Sequence, residues 1–356
     1  MSRLFEPVTF RSGATSKNRI ALAALTNAQS HEDGTLGDDE LHWLERRARG
    51  GFGLVATCAC HVAREGQGFA GELGIWGDQH LEGLTRLASA LNAHGAMGVV
   101  QIFHGGARAI GSPAGEQPFS ASPSEGVRAA TEADLARVIA QFADAAARAQ
   151  RAGFGGVELH GAHGYLLTQF LSATGNVRND AWGGSLAGRA RLIRDVTRAV
   201  RERVPAPFVV GVRLSPEDFG NARGLDLDES VQVARWLAED GVDFVHLSLW
   251  DAHQNTKKRP DQHALTVFRA ALPPEVRLIV AGALWSLQDA EAMLDMGADV
   301  IALGRAAIAN PDWGLQVADP AWQPTRPPLS PGALRERAVS DVFVQYLRKF
   351  KGFVEG

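Results

Sequence analysis

Eight short apolar runs recur along the chain, and the segments between them repeat their apolar residues at three- and four-residue intervals. The runs are "IALAAL" (20–25), "GLVATC" (53–58), "MGVVQIF" (97–103), "GVELH" (156–160), "FVVGVRL" (207–213 and just after), "DFVHLSL" (243–249), "RLIVAG" (277–282) and "DVIALG" (299–304). A strand that is apolar throughout, rather than at every second residue, is buried on both faces, as in a parallel sheet covered by helices. The intervening segments predict helices over 39–49, 78–94, 131–152, 185–204, 228–240 and 286–296. The third of these, "ARVIAQFADAAARAQRAG", ends on a glycine suited to a helix C-terminus. Eight strand–helix units without a break in composition predict an α/β fold, a single (β/α)8 TIM barrel over 1–356. The rival, a doubly wound sheet with a second domain, calls for a Pro/Gly/Ser-rich linker that does not divide the chain.

Two segments depart from the alternation. Residues 104–130, "HGGARAIGSPAGEQPFSASPSEGVRAA", are too long and turn-rich for a simple connector and predict a rim or lid insertion after strand three. The proline-rich stretch 318–333 opens a C-terminal extension, 318–356, whose "LRERAVSDVFVQYLRKF" predicts a helix packed outside the barrel.

Composition narrows the partners. With 45% hydrophobic residues, 21% charged and a formal net charge of −4 over 356 residues, the chain reads as an ordinary globular protein. The absence of a Lys/Arg run argues against nucleic acid or an anionic membrane surface as the main partner. No stretch reaches the roughly 18 apolar residues of a membrane span, and "MSRLFEPVTFRSG" has no apolar core of a signal peptide, so a cytoplasmic location is expected. The two cysteines, Cys58 and Cys60, support neither a disulfide framework nor a four-thiolate iron–sulfur or zinc site.

A barrel of this kind places its chemistry at the C-terminal ends of its strands. Those ends hold Ala24, Leu25 and Thr26; Cys58 and Ala59; Gln101; His160, followed by His163 and Tyr165; Arg213; Gly282 and Ala283; Gly304 and Arg305. Glycines at the ends of strands seven and eight are where backbone N–H groups and a helix N-terminus commonly hold a phosphate, which implies a phosphorylated cofactor. Singly, each residue has a plainer reading. The histidines could be structural, or half of a metal site for which no third ligand stands at suitable spacing, so no metal is expected. Tyr165 could be a rim aromatic. Arg213 could pair with Glu217 or Asp218 at the surface, and Cys58 reads as a packed small side chain. Gln101 inside "VVQIF" is harder to dismiss, because an amide buried among apolar residues is costly without a partner. The convergence of these residues on one end of the barrel favours a site.

The chain resembles the Old Yellow Enzyme family of FMN-dependent NAD(P)H oxidoreductases over nearly its whole length. The resemblance is carried by "KNRIALAALTNAQS", "RRARGGFGLVAT", "VVQIFHGGAR", "GVRLSPEDF", "ADVIALGRAAIANPDW" and above all "ELHGAHGYLLTQFLSATGNVRNDAWGGSLAGRARL". It implies an FMN barrel in which Ala24, Leu25, Thr26 and Ala59 lie along the flavin, with Thr26 near N5 and O4. Gln101 and Arg213 would meet the pyrimidine edge, and Gly282, Ala283, Gly304 and Arg305 the phosphate. His160 and His163 would bind the substrate's carbonyl oxygen and Tyr165 would supply a proton. The implied activity is ene reduction of enones and nitroalkenes with NAD(P)H by a ping-pong mechanism, with phenols as ligands over the flavin. A non-catalytic flavin- or sugar-phosphate-binding barrel is the alternative. The chain departs from the family at Ala24-Leu25, usually Pro-Met, at Ala28, often aromatic, and at Cys58, commonly an acid. These positions bear on pocket shape and substrate. The tail "KFKGFVEG" has no clear match to the arm by which some relatives complete a neighbour's site, so a homo-oligomer is possible but unassigned.

Overall fold

The computed structural model describes residues 2–110 and 115–356; residues 111–114 of the expected rim insertion lie outside them. Eight parallel strands close into a barrel in chain order: β1 (Ile20–Leu22), β2 (Leu54–His61), β3 (Met97–Phe103), β4 (Gly156–Gly161), β5 (Val209–Leu214), β6 (Phe244–Ser248), β7 (Arg277–Ala281) and β8 (Val300–Leu303). Around them lie α1 (Asp38–Arg49), α2 (Leu81–Asn92), α3 (Glu132–Arg151), α4 (Arg191–Arg203), α5 (Leu227–Glu239), α6 (Ala264–Ala271), α7 (Leu287–Asp295) and α8 (Arg305–Ala309). Every second strand residue faces this helical layer, so Val157, Leu159, Val210 and Val212 are fully buried there. Among the described residues, no helix is long and apolar enough to cross a membrane.

Four expectations need correction. The sixth connection contains α6, whose "ALTVFRAA" starts from the His263 side chain as acceptor for Leu265 N–H. The expected 185–204 helix is two, Leu186–Arg189 and α4, broken at Ala190. Strand β1 stops at Leu22, so Ala24, Leu25 and Thr26 follow it outside the strand. The single C-terminal helix is also two, α9 (Pro331–Glu336) and α10 (Asp341–Leu347), because Ala338 takes a left-handed φ of 57° and Ser340 caps a new start. Where it is described, the 104–130 segment carries a 3-10 turn at Gly106–Arg108 and a two-residue parallel ladder joining Phe119–Ser120 to Arg128–Ala129.

The barrel interior has two tiers. Its floor is apolar, built from Leu54, Val99, Val209, Phe244 and Val300, and plugged from below by Val8 and Phe10 of the N-terminal hairpin. Asp243 fixes the plug by accepting from Ser12 N (2.7 Å) and Val210 N (2.8 Å). Gly211 is the space into which the Phe244 ring fits: a Cβ there would lie 2.1 Å from the ring. The tier above, toward the strand C-termini, is polar.

Gly211→Ala is therefore expected to overpack the floor and destabilise the fold by about 1–3 kcal/mol. The urea midpoint should fall and recover in Gly211→Ala/Phe244→Leu. An unchanged midpoint in the single variant would show that the floor yields easily at this position.

Candidate active site

Strand register builds the polar tier. β3–β4 pairing sets Gln101 beside Glu158, β4–β5 sets His160 beside Arg213, and β5–β6 sets Arg213 beside His246. Ala59 lines up with Gln101 after an irregularity between Ala56 and Ala59. Glu158 Oε1 accepts from Gln101 Nε2 at 2.7 Å, and its Oε2 lies 2.7 Å from His246 Nδ1. All three side chains are buried. Burial pushes the Glu158 carboxyl up, but His246, Arg213 and Gln101 outweigh it and hold the pKa below its ordinary value. Burial also lowers His246, against the pull of Glu158, so the pair is a carboxylate accepting from a neutral imidazole.

Arg213 bridges to the rest of the mouth. Its Nη1 donates to Ala24 O (3.2 Å) and its Nη2 to Ser248 Oγ (3.0 Å), while its Nε is buried without a partner. It does not pair with Glu217, which instead accepts from the Lys257 and Lys258 backbone N–H groups. Ser248 Oγ lies 2.7 Å from His163 Nε2. With Arg213 donating to that oxygen, the hydroxyl proton is free to go to Nε2, which leaves the imidazole proton on Nδ1.

Past β4 the chain turns sharply. His163 has φ 62°, secured by its backbone N–H donating to Ser215 Oγ at 3.2 Å. The His160 and His163 rings stand 5.0 Å apart and nearly perpendicular, with the Tyr165 ring 5.2 Å from His160 and edge-on to Phe103. His160 Nδ1 is buried and unpaired. Burial, followed by the charge of Arg213 and its neighbours, drives both histidines well below their ordinary pKa, so they are neutral donors near pH 7. Burial raises the Tyr165 phenol while Arg108 pulls it down. The Arg108 guanidinium lies 4.1 Å over the Tyr165 ring and donates to His163 O at 2.9 Å. Among the described residues no carboxylate pairs with it.

On the other side of the mouth, β7 and β8 end in a notch that is open at Gly304 and closed by a loop at Gly282. Gly282 takes φ 158° because the 249–252 loop folds against it; a Cβ there would lie 2.8 Å from Ala252 N. Ala283 has a left-handed φ of 53°. Gly304 is half-buried, and the space its side chain would take meets only Leu25 Cδ2, at 3.4 Å. Arg305 is exposed, 5.4 Å from the Trp250 ring. Cys58 is buried and its thiol is pushed well up by burial and by Glu40, as suits a packed side chain.

The structure thus brings the sequence-derived residues to one end of the barrel, and it adds five that the sequence reading missed. Glu158 and His246 carry the signal that marked Gln101, a polar residue inside an apolar strand. Ser248 and Arg108 stand next to marked residues without a distinguishing pattern of their own. Tyr346 comes from α10, which was expected to pack outside the barrel. Ser340, at the cap of α10, donates to Gln29 Oε1 (2.6 Å from Oγ), and Phe343 packs edge-on against Trp43. This docking brings the Tyr346 phenol to Thr26 at the mouth, close enough for that hydroxyl to work against the upward push of burial on the phenol's pKa. The chain has two tyrosines, and both are here.

A family model described as NADH:flavin oxidoreductase / NADH oxidase family matches residues 3–320. The chain is 36% identical to the probable NADH-dependent flavin oxidoreductase YqiG of Bacillus subtilis, covering 88% of this chain and 87% of that protein. It is 34% identical to an NADH:fumarate oxidoreductase of Klebsiella pneumoniae, covering 89% of this chain but 36% of that longer protein. Among solved structures, an Old Yellow Enzyme homologue from Zymomonas mobilis superposes with TM-score 0.80 and 27% identity over 95% of this chain and 96% of the other. Morphinone reductase in complex with tetrahydroNAD superposes with TM-score 0.82 and 26% identity over the same shares of the two chains.

The neutral histidines predict a pH dependence of stability. His61 is lowered by burial to about 3, His80 and His104 to about 4, and His160, His163, His246 and His263 are lowered too. Between about pH 6.5 and pH 4 the unfolded chain binds these protons and the folded chain does not, so stability falls as pH falls. Glu40 and Glu72, raised by burial, act in the opposite sense but are two against seven. The urea midpoint should be lower at pH 5 than at pH 7.5, and a rise on acidification would contradict these assignments.

Proposed function

The chain belongs to the NADH:flavin oxidoreductase / NADH oxidase family, the Old Yellow Enzyme family of FMN-dependent NAD(P)H oxidoreductases, and on that premise we propose that it reduces the activated C=C bond of α,β-unsaturated carbonyl compounds and nitroalkenes in two alternating half-reactions. The observation that carries this reading is the pair of neutral imidazoles 5.0 Å apart with the Tyr165 phenol beside them.

The residues present fit FMN. Gln101 turns its amide nitrogen to Glu158, and among the described residues no donor reaches its Oε1, which suits the imide N–H of the flavin's pyrimidine edge. Arg213 Nε, buried and unpaired, suits the adjoining carbonyl and ring nitrogen. Ala24, Leu25, Thr26 and Ala59 would line the ring, with the Thr26 hydroxyl toward N5 and O4. The notch of Gly282, Ala283, Gly304 and Arg305 would take the phosphate, with space free at Gly304 and the Arg305 guanidinium paired with no carboxylate among the described residues. Bound FMN supplies a hydride, drawn from NAD(P)H, to the carbon β to the carbonyl.

The chain's own residues do the rest. His160 and His163 donate to the substrate oxygen on which negative charge grows; being neutral, they are hydrogen-bond donors placed in advance where they are needed. Tyr165 holds the proton for the α carbon. Its raised pKa keeps it protonated at neutral pH, and Arg108 stabilises the phenolate left after transfer. Arg213 and Arg108 make the chamber favourable to phenolates, so phenols are expected as ligands. The G-x-G-x-x-G at 66–71 runs into a loop and opens no helix, unlike a dinucleotide-binding turn, which supports nicotinamide and alkene using the same chamber in turn.

The purified protein should be yellow or reconstitute with FMN, and bleach anaerobically with NAD(P)H. Stopped-flow analysis of Tyr165→Phe should show flavin reduction nearly intact, and reoxidation by cyclohexenone slowed by roughly 10²–10⁴-fold. Nitroalkenes, whose nitronate leaves without carbon protonation, should suffer much less. Equal loss in both half-reactions, or none in the enone step, would remove Tyr165 from the role of acid.

A further inference from the structure

One buried group at the mouth is left unused by this chemistry: the Glu158 carboxylate, which touches neither the notch nor the histidine pair. Its two oxygens face two donors at 2.7 Å each, Gln101 Nε2 and His246 Nδ1, and Gln101, Glu158 and His246 are each no more than 3% exposed. A carboxylate can only accept hydrogen bonds, so Gln101 has one usable amide orientation, nitrogen inward and oxygen toward the mouth. The same negative charge lies close enough to Arg213 for each to shift the other's titration. Arg213 has no carboxylate within ion-pair distance among the described residues, so Glu158 acts as its compensating charge through the low-dielectric interior.

We propose that Glu158 is a positioning residue that sets both the grip and the electron affinity of the FMN site, by locking Gln101 with its oxygen outward and by offsetting the charge of Arg213. The inference rests on the FMN reading above. Arg213 alone would favour the electron-rich, reduced flavin strongly; Glu158, one layer deeper, moderates that preference. Hydride acceptance from NAD(P)H and hydride donation to an alkene both need a potential between the two couples, and a fixed buried charge pair provides it without a titrating group at the surface.

The test uses the holoprotein. Glu158→Gln keeps the volume and removes the charge. The two-electron equilibrium, measured against a reference dye, should shift toward reduced flavin by about tenfold, an upward move of about 30 mV. Affinity for oxidised FMN, measured by quenching of flavin fluorescence, should weaken several-fold, because a glutamine at 158 allows Gln101 to turn either way. In a Gln101→Met background the affinity effect of Glu158→Gln should vanish while the potential shift persists, which separates orientation from charge. If Glu158→Gln does not fold, His246→Leu withdraws a donor from the same carboxylate, leaves its negative charge less offset, and should move the potential the opposite way, toward oxidised flavin. A yellow wild type whose folded variants keep its potential and FMN affinity overturns the role of Glu158 alone. A wild type that cannot be loaded with FMN overturns the oxidoreductase reading and this inference with it.

Discussion

Closure of eight parallel strands is the constraint on which everything else depends. A closed barrel has no edge, so each strand's register is held by two neighbours and cannot slip without breaking a ladder on both sides. In this chain that register lines up Ala59, Gln101 and Glu158 across β2, β3 and β4, and His160, Arg213 and His246 across β4, β5 and β6. The polar tier is therefore a property of the closed sheet. The apolar floor beneath it, with Phe244 packed into the space left by Gly211, prevents the polar side chains from collapsing downward.

Placing that tier above an apolar floor has electrostatic consequences. Charges removed from water must be compensated nearby or neutralised. Both solutions occur. Arg213 and Glu158 stay charged and balance each other, and His246 is neutral and donates to the carboxylate. His160 and His163, with arginines as neighbours and no carboxylate touching them, give up their charge. A chamber whose remaining charges are cationic and whose donors are neutral favours developing negative charge on oxygen, which is the demand of conjugate reduction. The same arrangement leaves Arg213 Nε and His160 Nδ1 without a hydrogen-bond partner, two of the twelve such buried atoms among the described residues.

Much of this was legible beforehand, for reasons that differ from residue to residue. The eight strands were visible because burial on both faces writes continuous apolar runs. Gln101 stood out because an amide in such a run is costly. The same argument applies to Glu158 in "GVELH" and His246 in "DFVHLSL", but both lie within their strands, away from the C-terminal ends where a barrel's chemistry is expected. The α6 helix was missed because "ALTVFRAA" is short and follows a long polar loop. Tyr346 could not be reached by any local rule: its helix docks through Ser340 on Gln29, 311 residues away.

What the sequence by itself determined was the kind of element, the number of strands, their parallel direction and the end of the barrel that carries chemistry. These follow from periodicities and strand boundaries, which are encoded within about ten residues. The tertiary structure alone decided who touches whom and who is charged. Gln101 and Glu158 are 57 residues apart in the chain, and Glu158 and His246 are 88. Neighbours in a parallel barrel are separated by a whole helix and its loops, so the chain's local pattern carries no record of their pairing. Protonation was equally out of reach, because it is set by the burial and charge that those distant segments impose on one another.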